Sequence, residues 1–98
     1  MTRNRPRHPK PDANQADIIR DLRKCGLVVL DVSSLGGDCL DLFVGDPLGG
    51  GFVQVEVKVP AGVLTPGEAD YIADYGGLLP IVVAREAEDI LRALGRMR

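Results

Sequence analysis

Apolar positions along the 98 residues change period several times, and each change marks an element. Ile18, Ile19, Leu22 and Cys25 fall on one stripe at helical spacing. This predicts a helix over 13–25, with Asp12 or, more weakly, Asn14 as N-cap and Gly26 just past its end. The β-branched run 27–32 reads as a strand, and 39–45 as a second one, after a loop that contains Gly36 and Gly37. From 52 to 59 the alternation is strict: Val53, Val55, Val57 and Val59 face one way, and Phe52, Gln54, Glu56 and Lys58 the other. Between these last two strands, Asp46-Pro47-Leu48-Gly49-Gly50-Gly51 is a turn by composition. Pro60-Ala61-Gly62 ends the third strand. Thr65 followed by Pro66 and Glu68 is a capping-box start, so a helix runs to about Tyr75 and stops at Gly76-Gly77. A fourth strand covers 78–84, with Pro80 tolerated near its start, and a last helix covers 85–94. The order α-β-β-β-α-β-α predicts an α/β fold with a central mixed β-sheet flanked by helices. Residues 1–11, with Pro6, Pro9 and Pro11 among bases, read as a flexible basic arm, and 12–98 as a single domain.

Composition narrows the chemistry. No apolar run approaches the roughly 18 residues of a membrane span, and none follows the basic N-terminus as in a secretory leader, which points to a cytoplasmic setting. Cys25 and Cys39 are too few for a disulfide scaffold and lie in no metal-ligand pattern; they read as buried free thiols. The single histidine, His8, lies in the arm, which argues against Ser/His and Cys/His catalysis. Carboxylates, lysine and a metal ion remain. The net charge of −2 conceals an asymmetry: residues 1–10 carry +4, residues 92–98 carry +3, and the 81 residues between them hold five bases and all 14 acids. Basic ends around an acidic body suit tails that touch phosphates and a centre that holds cations. A solvated tail accounts for the same charges.

One pairing carries the site. If the turn is centred between Leu48 and Gly49, paired residue numbers sum to 97, and Asp41 falls opposite Glu56 with Lys58 on the same face. Directly opposed side chains have Cβ atoms about 4.5–5.5 Å apart, and like charges there repel. A divalent cation offsets that repulsion, and two acids with a lysine form a workable hydrolytic site for phosphodiesters. The register assumes no bulge. Gln54, Glu56 and Lys58 alternating with valines is also the pattern of any half-exposed strand. Tyr71 and Tyr75, four apart on the second helix, either pack on each other or form part of a subunit contact.

The run Gly37-Asp38-Cys39-Leu40-Asp41-Leu42-Phe43-Val44-Gly45, followed by Val55-Glu56-Val57-Lys58, resembles the PD-(D/E)XK nuclease superfamily. Within it, the likeness is to archaeal-type Holliday-junction resolvases and the related small phage VRR-NUC-like nucleases. It covers about residues 12–94. Leu64-Thr65-Pro66 with Glu68 is similar to the helix start of the phage relatives, and 75–84 to a glycine- and proline-bearing strand of the resolvases. The resemblance implies a restriction-endonuclease-like fold. Asp41 matches the first acid, with Leu40 in place of the usual proline, and Glu56, Val57 and Lys58 match the second half of the motif. By that match Asp41, Glu56 and the Val57 carbonyl bind Mg²⁺ or Mn²⁺, and Lys58 acts on the attacking water.

Two positions depart from the pattern. Where relatives carry a glutamate on the first helix this chain has Gln15, with Asp17 beside it. At about 100° per residue the apolar stripe centres near Gln15, while Asp17 points to solvent, so the site-facing residue is neutral. Asp12, one turn earlier, is placed to compensate. The glutamine usual in the second helix start is Glu68 here. The loop serine that resolvases place near the scissile phosphate is Ser33 or Ser34, with Ser34 preferred. The expectation is a metal-dependent, structure-selective DNA endonuclease, a Holliday-junction resolvase acting as a homodimer in a prokaryotic or phage-infected cell. Arg3, Arg5, Arg7 and Lys10 would grip phosphates, and Arg20, Arg23 and Lys24 would extend that surface. Two alternatives stand beside it: a nuclease-fold protein with weakened or lost catalysis that serves as a DNA-binding or regulatory module, and an interaction domain whose acid pair is a solvated face.

Overall fold

A computed structural model describes residues 13–35 and 40–97; the basic arm, Asp12 and Cys39 lie outside the described residues. The elements follow the predicted order: α1 (Gln15–Lys24), β1 (Val28–Asp31), β2 (Leu42–Gly45), β3 (Phe52–Val57), α2 (Pro66–Tyr75), β4 (Ile81–Ala84) and α3 (Ala87–Ala93), with a 3₁₀ turn, Ser33–Leu35, after β1. The sheet order is β1-β2-β3-β4. The first three strands are antiparallel, and β4 joins β3 in parallel through α2. The chain is a small α/β domain with a mixed four-stranded sheet flanked by helices. Among the described residues, no helix is long and apolar enough to cross a membrane.

The core follows from the alternation. Val29, Leu42, Val44, Val53, Val55 and Val57 point to one face of the sheet, where Ile18 and Leu22 of α1 and Ala87 and Ile90 of α3 cover them. Gly26, at φ +84°, ends α1 in the left-handed conformation that glycine adopts without strain. Leu22 is fully buried, so Leu22→Ala is expected to lower unfolding free energy by about 2–5 kcal/mol in urea titrations. A loss well under 1 kcal/mol would show that α1 does not pack as described.

The first helix departs from expectation in two details. Asn14 is the N-cap, but its side chain makes no capping bond. Its Nδ2 instead donates to the Lys58 and Arg85 carbonyls, at 3.1 and 2.9 Å, and pins α1 to the ends of β3 and β4. Cys25, expected to be buried, is exposed. It is the C-cap residue, one position beyond the last helical turn, where the stripe has already left the sheet.

From Leu42 to Gly45 the β2–β3 ribbon has the predicted register, Leu42 pairing with Val55, Phe43 with Gln54, Val44 with Val53 and Gly45 with Phe52, but Asp41 and Glu56, predicted as an opposed pair, are not partners in this ladder. The second strand begins later than its apolar run suggests because the ladder slips at Asp41. The Asp41 N–H donates to the Val55 carbonyl at 2.9 Å, while its own carbonyl accepts from the Val32 N–H at 2.8 Å. This is a β-bulge, a device that re-aims one side chain and ends regular pairing.

The other face of the sheet is only half covered. The capping box predicted for α2 forms in both directions, between Thr65 and Glu68. The helix lies over β3, where the Tyr71 hydroxyl donates to Gln54 Oε1 at 2.9 Å. Gln54 and Glu56, expected on a half-exposed strand, are thereby buried. Among the described residues, no helix covers the rest of that face, on β1 and β2.

Candidate active site

The site lies at the C-terminal end of β3, beside the bulge. Glu56 is 3% exposed, deep under α2. Asp41 is half-buried. Its Oδ2 accepts from the Val57 N–H at 2.8 Å, in the place where a regular ladder would put a carbonyl. The N–H and C=O of one strand residue point to the same edge, so the Val57 carbonyl is directed to the Asp41 side as well. The negative charge of Asp41 acts on Glu56. The bulge therefore changes how Asp41 is held but leaves it in the electrostatic neighbourhood that the register predicted.

Lys58 joins the acids. Its Nζ lies 3.6 Å from Glu56 Oε2 and 2.8 Å from Glu68 Oε1. The same Glu68 oxygen accepts from the Thr65 N–H at 2.8 Å, so the helix cap fixes the carboxylate that holds the lysine. One ammonium thus serves two carboxyl groups, Glu56 and Glu68. Burial, the hydrogen bond with Glu68 and the charges of Asp41 and Glu68 push the Glu56 carboxyl from 4.5 up to about 9, against the opposing pull of Lys58. Burial alone would push Glu68 up too, but hydrogen bonds from Lys58, Glu56 and the Thr65 N–H outweigh it and hold Glu68 low. Burial thus favours the protonated form of Glu56, hydrogen-bonded with Glu68, while its partners favour the ionised form of Glu68.

Gln15 belongs to a second cluster. It is 2% exposed, and Asp17 is exposed, as the helical stripe predicted. Gln15 Nε2 donates to Asp31 Oδ1 at 3.4 Å and to Ser33 Oγ at 3.3 Å. Ser33 Oγ in turn donates to Asp31 Oδ1 at 2.6 Å. Both hydrogen bonds of Gln15 stay within this cluster, so among the described residues it is not brought to Glu56. Among the described residues, Gln15 Oε1 is buried without a partner. Of the two serines, Ser33 meets Gln15, while Ser34 is exposed. Sequence reasoning passed over Asp31. An aspartate two residues before a serine at a strand end is an Asx-turn signature, and its carboxylate accepts the Ser33 N–H at 3.0 Å.

Arg3, Arg5, Arg7 and Lys10, expected to grip phosphates, lie outside the described residues. Arg20 pairs with Asp17 and Asp21, both at 3.1 Å, and the Arg23 guanidinium bonds the Val29 carbonyl at 2.8 Å. These two and Lys24 line an open concavity of about 580 Å³ on α1.

The donor set suits one hard cation. Mg²⁺ takes one or two carboxylates and keeps its remaining positions for water. Asp41, Glu56 and the Val57 carbonyl are the groups here that could hold it. Among the described residues, no three His, Cys, Asp or Glu side chains gather as a larger ligand group. Compared with protein-family models, with curated proteins and with solved structures, the chain matches none, and its chemistry must be read from this cluster alone.

Proposed function

We propose that the protein is a metal-dependent, structure-selective DNA endonuclease with a restriction-endonuclease-like fold, and that its substrate is a branched DNA such as a four-way junction. The observation that carries the reading is the Lys58 ammonium 3.6 Å from the buried Glu56 carboxyl, with Asp41 near enough for its charge to act on that carboxyl. Asp41, Glu56 and the Val57 carbonyl would hold Mg²⁺ or Mn²⁺. When bound, the ion supplies positive charge at a phosphoryl oxygen and makes water easier to deprotonate. Glu56 gives up its proton to enter that site. Lys58, steadied by Glu68, orients the attacking water and offsets charge developing on the phosphate. A four-way junction has near-twofold symmetry, so a homodimer presents two such sites to it. The arginine-rich arm supplies contacts to phosphate that carry no sequence information.

The test is cleavage of an end-labelled synthetic junction with and without Mg²⁺. Paired, metal-dependent cuts near the branch are expected, and binding that never proceeds to cutting would overturn the enzymatic reading. Two features favour a second reading, a DNA-binding or regulatory module with lost catalysis: Gln15 is neutral and engaged with Asp31, and Lys58 lies closer to Glu68 than to Glu56. Salt-sensitive junction binding with no cleavage is the outcome that selects it.

A further inference from the structure

The candidate site is covered. Glu56 is 3% exposed and the Lys58 side chain 12%. The cover is α2: Glu68 holds the Lys58 ammonium at 2.8 Å, and Tyr71 holds Gln54, two residues before Glu56 on the same strand, at 2.9 Å. A phosphodiester in a DNA strand is too bulky to reach a carboxyl group this deep while α2 stays in place.

The cover is lightly fastened. The hydrophobic core draws on α1, α3 and all four strands but takes no residue from α2, and no residue of α2 is buried. Its one large aliphatic side chain, Ile72, is only half-buried. Polar contacts to Lys58 and Gln54 hold the helix down instead. A segment with so few buried apolar contacts opens at a small fraction of the global stability. The capping box between Thr65 and Glu68 is internal to the helix and travels with it. Both ends offer a pivot. The Arg85 guanidinium fixes the Pro60 and Gly62 carbonyls, at 3.2 and 2.9 Å, so the crossover is anchored as far as Gly62 and can turn beyond it, where Val63 is exposed. At the far end stand two glycines. The closed helix needs the first, because a Cβ on Gly76 would lie 2.6 Å from the Ile72 carbonyl oxygen. It does not need the second: Gly77 has no positive φ, and a Cβ there would meet nothing within 4 Å. Glycine at 77 suits a chain that bends there.

We propose that α2 is a lid, closed over Glu56 and Lys58 in the substrate-free chain, which swings out on residues 63–64 and 76–77 to admit a DNA strand. The latch is matched to what it admits. A phosphate oxygen offers Lys58 the negative charge that Glu68 offers now, so an incoming strand replaces the latch as it opens it. The identity of the substrate rests on the function proposed above; the motion of the helix does not.

Acetylation of the full chain without DNA by an N-hydroxysuccinimide ester, read by peptide mass spectrometry, reports opening at Lys58, with the exposed Lys24 as internal reference. Wild-type Lys58 is expected to react about tenfold or more slower than Lys24, at a rate that urea below the unfolding transition barely changes. Tyr71→Phe removes the bond to Gln54 and is expected to speed Lys58 labelling by about 2–12-fold. Gly77→Ala fits the closed form and restricts the pivot, and is expected to slow labelling by about 2–5-fold and to slow junction cleavage by the same factor. Both variants should leave the Lys24 rate unchanged. Lys58 labelling that ignores both substitutions, or that appears only as the whole chain unfolds in urea, would overturn the lid even if junctions are cut. Labelling that responds as expected in a chain that cuts no junction would uphold the moving helix and remove the nuclease reading.

Discussion

Lys58→Ala is expected to slow metal-dependent junction cleavage by about 10²–10⁴-fold while leaving junction affinity within a few-fold of wild type. The side chain is largely buried, 3.6 Å from Glu56 and 2.8 Å from Glu68. Its charge is therefore little screened by solvent where a phosphate would develop negative charge, and the arm is expected to supply most phosphate contacts. Asp41→Asn is the companion change. Asparagine still offers an oxygen to the Val57 N–H, which Asp41 now bonds at 2.8 Å, so the bulge is kept while a charged ligand is lost. Single-turnover cleavage in Mg²⁺ and gel-shift titration in Ca²⁺ separate the two effects. A Lys58→Ala protein that cuts within twofold of wild type would remove the lysine from the chemistry, and with it most of the case for this site.

The legible parts of the site share a cause: each is fixed by local geometry. The centre of the glycine-rich turn set the sum of 97, and the ladder from Leu42 to Gly45 follows it. Thr65, Pro66 and Glu68 gave the start of α2, because a capping box closes within four residues. The stripe on α1 separated buried Gln15 from exposed Asp17. The illegible parts depend on contacts between elements. The slip at Asp41 leaves no mark in residue type, since nothing in Leu40-Asp41-Leu42 distinguishes a bulge from a regular strand start. That Glu68 holds Lys58 as well as its own cap depends on where the crossover from β3 sets α2 down. Ser33 rather than Ser34 meets Gln15 because a 3₁₀ turn follows β1 and rotates the second serine outward. Cys25 lies on the stripe by spacing, but by then the helix has ended. Phe52 was placed on the polar face by its alternation, and an aromatic side chain there was the readable sign of an uncovered surface.

The second large effect concerns stability in the absence of metal. The fold is expected to weaken as pH rises from about 5 to 9, and Glu56→Gln is expected to abolish most of that slope. In the folded chain the Glu56 carboxyl is raised from 4.5 to about 9 by burial, by its hydrogen bond with Glu68 and by the nearby acids. Between those values the native state keeps a proton that the unfolded chain has released. The contribution is therefore complete below about 4.5 and is lost as pH climbs through 9, at up to about 1.4 kcal/mol per pH unit. Glu68 acts outside this window. Its pKa is lowered, so its contribution is present above 4.5 and is lost only as pH falls through the lowered value. Glutamine keeps a donor for Glu68 without needing a proton from solvent, so the variant should match wild type near pH 5 and exceed it near pH 9. Saturating Mg²⁺ is expected to raise the wild-type melting temperature more at the alkaline end, where less work is needed to remove the Glu56 proton. Urea titrations of both proteins across this range decide the matter. Equal slopes in wild type and Glu56→Gln would mean that Glu56 is already ionised in the folded chain, and the buried acid would then need no cation to explain its place.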